Sequence, residues 1–328
     1  MSADFAVVIC TYDASRWDML RAAVDSARAQ TLAPREVIVV VDHNDSLRKR
    51  AERELDGVVV IDNKEDRGLR GARNSGLHAA RASLIAFLDD DARATEGWLE
   101  SLAEPYRGAN VAGVGGATVP AWDGGRPAWF PPEFEWVVGC TYRGVSLERR
   151  EVRNVWGGNM SFRRDILVAT GGFRIGYSCD DTELCIRIRQ RWPEKRFIFV
   201  PEARVVHYVE RSRLTVRRFL SRCYFEGGSK AVLSRLVGAD QGLASERRYT
   251  REVLPRGVHR SLRDFAVRGE LAGLARAGLI VGGLTAAAAG YGVGQLAPTR
   301  AARKREWNGG ALRKRRSDMR DYVPGATK

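Results

Sequence analysis

The chain has 328 residues and is 44% hydrophobic, which gives it a full buried core and excludes the disordered and fibrous classes. Its five cysteines, odd in number and without a CxxC pair, exclude a disulfide framework and a zinc cluster and point to a reducing compartment. The net charge of +14 is unevenly placed: residues 204–328 hold 26 Lys+Arg against 10 Asp+Glu, leaving 28 against 30 before them, so an anionic partner, nucleic acid or membrane face, would be met by the last third.

Met1-Ser2-Ala3-Asp4 lacks a basic run and leads directly into a strand, so no signal peptide is expected. Residues 5–11 (FAVVICT) form a continuous apolar run, as a strand buried on both faces does. A helix is predicted over 16–30, where Leu20, Ala23, Val24 and Ala27 recur at helical spacing. Strands at 37–42 and 58–62 each end in an acid, with helices at 47–55 and 72–82. The fourth strand, 84–88, runs straight into Asp89-Asp90-Asp91. This alternation predicts an α/β fold with a mostly parallel sheet. The acids then fall at strand carboxyl ends, where such sheets bind ligands. Neither GxGxxG nor a P-loop is present, so a nucleotide would be held by acids and side chains rather than by a glycine cradle.

Three adjacent carboxylates repel one another and call for a cation. Oxygen ligands favour Mg²⁺ or Mn²⁺, usually shared with substrate phosphates. The competing reading is a solvated acidic turn capping a helix near Thr95. Residues 120–140 are rich in Pro, Gly and aromatics, among them Trp122, Trp129, Phe130, Phe134 and Trp136. They form either a functional flap or a loop whose aromatics pack back. Trp156-Gly157-Gly158-Asn159 lets backbone approach a ligand, or makes a tight turn into a strand. Asp180-Asp181-Thr182-Glu183 opens an amphipathic helix with more acids than capping needs. Paired carboxylates raise one another's pKa, which suits a general base. His207 ends a short strand at 205–208 and is a structural residue or a further metal ligand.

This ordered set, Val7 to Tyr12, Val41-Asp42, Arg67-Gly68-Leu69-Arg70-Gly71-Ala72-Arg73-Asn74-Ser75-Gly76, Asp89-Asp90-Asp91, Gly157-Gly158-Asn159, Asp180-Asp181-Thr182-Glu183-Leu184 and His207, resembles the family-2 glycosyltransferases over roughly residues 5–230. The resemblance implies a GT-A fold, a nucleotide-diphosphate sugar donor, Mn²⁺ or Mg²⁺, and inversion at the anomeric carbon. Thr11, Tyr12 and Asp13 would border the base, and Asp42 would contact base or ribose. Arg67, Arg73, Asp89 and Asp90 would help bind the nucleotide. Asp91 and His207 would ligate the metal. Trp156, Gly158, Asn159 and Asp180 would line the donor-sugar and acceptor pocket, with Asp181 as general base. His43 stands where the family often has a second acid, which weakens any assignment of the nucleotide. The QxxRW signature of processive members is absent, and Gln190-Arg191-Trp192 lies inside a predicted helix, so single-sugar transfer is expected.

Residues 213–236 place Leu214, Phe219, Leu220 and Tyr224 at helical spacing among Arg217, Arg218 and Arg222. They read as a basic amphipathic helix on a membrane surface or packed on the catalytic domain. Residues 277–297 carry no charge, are long enough to span a bilayer, and contain the pairs Gly278/Gly282 and Gly290/Gly294. A single span would separate the basic tail from a catalytic domain that needs cytosolic donors, so an interfacial or re-entrant helix is favoured. The chain thus divides into a catalytic region at 1–210 (nucleotide half 1–119, acceptor half 120–210), basic helices at 211–275, an apolar segment at 276–298 and a basic tail at 299–328 against anionic lipid. The expected activity is transfer of one sugar to a lipid-linked or glycan acceptor at the cytoplasmic membrane face, in cell-surface glycan assembly. A catalytically silent sugar-nucleotide-binding scaffold is the alternative. Nucleic acid is not an expected partner, because no RNA- or DNA-binding motif accompanies the basic tail.

Overall fold

The computed structural model describes residues 4–174, 179–238 and 244–296. The basic tail expected at 299–328 lies outside them. Strand β1 (Phe5–Thr11) shows why a continuous apolar run folds as it does. Its alternate residues Phe5, Val7 and Ile9 enter one core layer, and Ala6 and Val8 enter the other. Beside β1 lie β2 (Glu36–Val41), β3 (Val59–Asp62) and β4 (Leu84–Asp89), all parallel, in the order β3-β2-β1-β4. Helices α1 (Trp17–Arg28) and α2 (Asp45–Glu54) cover the first layer, and α3 (Leu69–Ala79) covers the second.

Past β4 the sheet becomes mixed. Strand β5 (Ala92–Ala94) follows the acids directly, then α4 (Trp98–Ala103), β6 (Val111–Trp122), β7 (Arg150–Val152), β8 (Asn159–Arg163), α5 (Arg164–Thr170), α6 (Asp180–Arg191) and β9 (Arg196–Val209). The order continues β4-β8-β6-β9-β5, with β8 antiparallel to both neighbours and β6 parallel to β9. The predicted short strand at 205–208 is the end of this long β9.

After the sheet come α7 (Val216–Val237), α8 (Ala244–Arg248), α9 (Leu254–Arg268) and α10 (Leu271–Leu296). By length and composition, α10 is apolar enough to cross a membrane. One of its faces packs along α7 through glycine. A β-carbon on Gly227 would collide with the Ala287 carbonyl, and one on Gly290 with that of Tyr224. Gly294 meets Ala231, whereas a β-carbon on Gly278 would find nothing within 4 Å. The second glycine pair therefore lies at the backbone contact of the seam, while of the first pair Gly282 meets only the Leu220 side chain, at 3.5 Å. The other face of α10 exposes Leu274, Val281, Leu284 and Val293.

The aromatic stretch is not a free flap. It contains a 3₁₀ helix (Pro132–Val138), and Phe130, Phe134 and Val137 form a third core with Phe219, Cys223, Leu254 and Ile280. Each buried phenyl ring there is worth about 2–3 kcal/mol, enough to hold this stretch against the C-terminal helices.

Candidate active site

The β5–β9 ladder builds the centre of the site. Its register sets Ala92 opposite His207, and Tyr208 N–H donates to the Asp91 carbonyl at 2.8 Å. His207 is thereby fixed beside Asp91, with Nε2 3.1 Å from Oδ1. Ligand atoms of Asp89, Asp91 and His207 all lie within 4.8 Å of one another. Two carboxylates and an imidazole form a donor set that suits Mn²⁺ or Mg²⁺. A 3.1 Å spacing also fits neighbouring ligands on one ion, since bonds of about 2.1 Å at right angles put their ends roughly 3 Å apart. Burial disfavours the charged imidazole of His207, yet Asp91 outweighs it and drives the His207 pKa well above the ordinary value. Asp91 is correspondingly held low by His207 and Arg16 despite its own burial. The site already stabilises positive charge against its carboxylates, as a cation site must.

Two arginines without a sequence signal complete this centre. Arg16 N–H lies 3.1 Å from Asp90 and 3.3 Å from Asp91, and Arg213 lies 3.5 Å from Asp91. Both are largely buried. Asp90 itself points inward, accepting from the Thr11 hydroxyl at 2.8 Å and from Arg16. Burial and the neighbouring Asp91 push its pKa up to about 7. Asp90 and Thr11 therefore tie the end of β4 to β1.

The second acid pair opens α6. Asp181 Oδ2 accepts from Gly157 N–H at 2.9 Å, and Asp180 is bound by Arg73 at 3.1 Å. Arg73 also donates to the Gly157 carbonyl at 2.9 Å and lies 3.7 Å from Asp89. One buried guanidinium thus joins the β4 acids to the α6 acids, so Arg73 fastens the site together. Burial, and then Asp180, raise the pKa of Asp181. Gly158 abuts Asp89, whose Oδ2 would stand 3.3 Å from a β-carbon there. A side chain at Gly158 would crowd the metal-type carboxylate.

Several expected site residues are occupied elsewhere. Asn159 is fully buried and donates to the Ala117 and Ala203 carbonyls while accepting from the Trp98 indole. It locks β6 and β9 together instead of lining a pocket. Trp156 is half-buried against Phe199. Asp42 accepts from Asn63, His43 and Gly68 N–H at 2.6, 2.8 and 2.9 Å, so its oxygens shape the loop before α3. His43 has a left-handed φ of 52°, the conformation that carries its ring back to Asp42. Asp13 accepts from Ser15 as a helix cap, and Asn44 donates to the Tyr12 carbonyl. Arg67 is exposed and donates to the His43 carbonyl at 3.3 Å.

The profile of “Glycosyl transferase family 2” matches residues 6–170. The chain is 35% identical over 243 residues to the glucosyl-dolichyl phosphate glucuronosyltransferase of Haloferax volcanii, covering 70% of this chain and 77% of that protein. Its fold is similar to that of the mannosyltransferase PcManGT from Pyrobaculum calidifontis in complex with GDP-Man and Mn²⁺, with a TM-score of 0.50, 19% identity, and 96% and 81% of the two chains covered. GalNAc-T7 with UDP, GalNAc and Mn²⁺ matches with a TM-score of 0.50 and 20% identity over 63% of this chain and 44% of that one.

Proposed function

The chain belongs to glycosyl transferase family 2, and from that premise we propose that it moves a single sugar, with inversion, from a nucleotide-diphosphate donor to a lipid-linked or glycan acceptor. It is a glycosyltransferase with a GT-A fold and an apolar C-terminal helix. The observation that carries the finer reading is the meeting of the Asp89–Asp91–His207 cluster with the Asp180–Asp181 pair, joined through Arg73 and the Gly157-Gly158 turn.

In this reading Asp181, its pKa raised by burial, accepts the proton of the acceptor hydroxyl as that oxygen attacks the anomeric carbon. Asp89, Asp91 and His207 would hold Mn²⁺ or Mg²⁺, which when bound offsets the charge developing on the departing diphosphate. Arg16 and Arg213, already drawn to Asp91, would face the same anion. Arg73 keeps the base motif and the metal-type acids at a fixed separation. A lipid-linked acceptor is supported by the dolichyl phosphate in the name of the Haloferax volcanii relative.

The membrane seat rests on α10. Its glycine seam with α7 runs through Gly290, and Arg235 of α7 donates to the Gln295 carbonyl at 3.2 Å. A helix laid along a charged partner to its last turn is better placed in the interface than across the bilayer. The catalytic face would then meet soluble donors on the cytoplasmic side, with residues 1–210 forming the catalytic region.

The experiment is a thermal-shift screen of the full chain with UDP-, GDP- and dTDP-sugars, each with and without Mn²⁺. Metal-dependent stabilisation by one nucleotide class is expected, because ligand bound to the native state raises the midpoint. A folded protein that no donor stabilises would overturn the reading.

A further inference from the structure

A cavity of about 560 Å³ opens between the 126–143 segment and helices α9 and α10. None of Asp89, Asp91, Asp181 and His207 lines it. Six guanidinium groups do: Arg126 and Arg143 from the segment, Arg260, Arg263 and Arg268 from α9, and Arg276 from α10. Three acids share the wall, Glu133, Asp264 and Glu270, so the lining is positive by three charges. The acids are already engaged. Arg260 holds the buried Glu133 at 2.8 Å, and Arg276 holds Asp264 at 3.0 Å and Glu270 at 3.3 Å. Arg143 and Arg263 form no close salt bridge among the described residues, and Arg143 feels the charge of Glu135.

Arginine forks match the oxygens of a phosphate, and a pocket with surplus guanidinium charge selects a compact anion with several acceptor oxygens. The rim identifies what carries that anion. Val267 lines the cavity and is 73% exposed, and Leu271, 75% exposed, begins the apolar helix next to it. A soluble phosphate needs no apolar rim, whereas a phosphate attached to a hydrocarbon chain needs both features side by side. We propose that this cavity is a second binding site, for the phosphate of a lipid seated at the membrane surface. The proposal rests on the membrane-associated reading above. The 3₁₀ helix Pro132–Val138 leads from the cavity wall to Gly139, where a β-carbon would lie 4.0 Å from His207 Cε1. The segment is kinked at Phe134, and Cys140 beyond it touches His207 at 4.0 Å, so the cavity borders the catalytic centre without sharing its acids. The phosphate belongs either to the lipid-linked acceptor or to a bulk anionic phospholipid.

The test is retention of the full chain on phosphatidylcholine vesicles doped to equal surface charge with a polyprenyl phosphate, with phosphatidylglycerol, or with oleate. The native protein should be retained about tenfold better on a phosphate-bearing vesicle than on the oleate one, and R143Q/R263Q should lose that excess. The phosphate vesicle that shows the excess names the source. Equal retention on all three vesicles, or an excess kept by R143Q/R263Q, would overturn the proposal. Stabilisation by donor and Mn²⁺ is read on the same samples: its absence from the native protein indicts the transferase reading, not the lipid site.

Discussion

Asp181 can take a proton in the proposed reaction only when ionised, so its surroundings set the acid limit of the rate. Burial and the adjacent Asp180 raise its pKa, against a weaker opposing pull from Lys230. The protonated form has no base to offer. The rate at saturating donor should therefore climb with pH through a midpoint above the usual aspartate value of about 4, as a pH–rate profile would show. Asp181→Asn should lose about 10²–10⁴ of the rate and keep donor-dependent stabilisation; a variant with full activity would remove Asp181 as base. At the neighbouring centre, His207→Ala or Asp91→Asn should abolish the Mn²⁺-dependent part of the thermal shift. Arg73 is a different case, because two carboxylates share one buried cation. Arg73→Met leaves Asp180 with Arg70 at 3.8 Å and Asp89 with the charges of His207 and Arg16, and should cost up to about 3–5 kcal/mol in denaturant unfolding, beyond any effect on the rate.

The α7–α10 seam is where an element depends on the smallness of single residues. Gly290→Leu would drive a side chain into the Tyr224 carbonyl and should lower stability by about 1–3 kcal/mol, while Gly278→Leu points into open space and should be neutral. Thermal unfolding of the two variants side by side separates the cases. From sequence both positions look alike, since small residues four apart mark a helix contact without saying which turn makes it. Strands β1, β2 and β4 were legible because burial on both faces leaves an unbroken apolar run. Strand β9 was legible only at its end: Arg196, Glu202 and Arg204 project outward along its first part and Pro201 interrupts the run. Gly158 and Asn159 carried one signal and took different roles, because Gly158 ends the turn beside Asp89 while Asn159 opens β8 fully buried. Arg16 and Arg213 had no local mark among 54 basic residues; only the sheet's closure brings residues so far apart in sequence to Asp91. The partners of the 120–140 aromatics were unreadable for the same reason, lying in helices far along the chain.

On the scale of the whole molecule, charge and apolar surface are segregated together. The near-neutral first 203 residues carry the sheet, and the basic remainder carries the exposed leucines and valines of α9 and α10. Retention on anionic vesicles should therefore fall several-fold as salt rises from about 0.1 to 0.5 M, while a residual, salt-resistant part persists on neutral vesicles. A flotation assay across salt measures both parts. The third core has a consequence for the making of the protein. Phe130 and Phe134 leave the ribosome about 150 residues ahead of Ile280, their last partner in that core. At roughly 5–20 residues per second, about 8–30 s pass before the cover of these rings is complete. The nascent chain thus passes through a sticky interval that the finished enzyme does not show. Slowing translation beyond residue 140 should lengthen that interval and lower the soluble yield, even though no amino acid has changed.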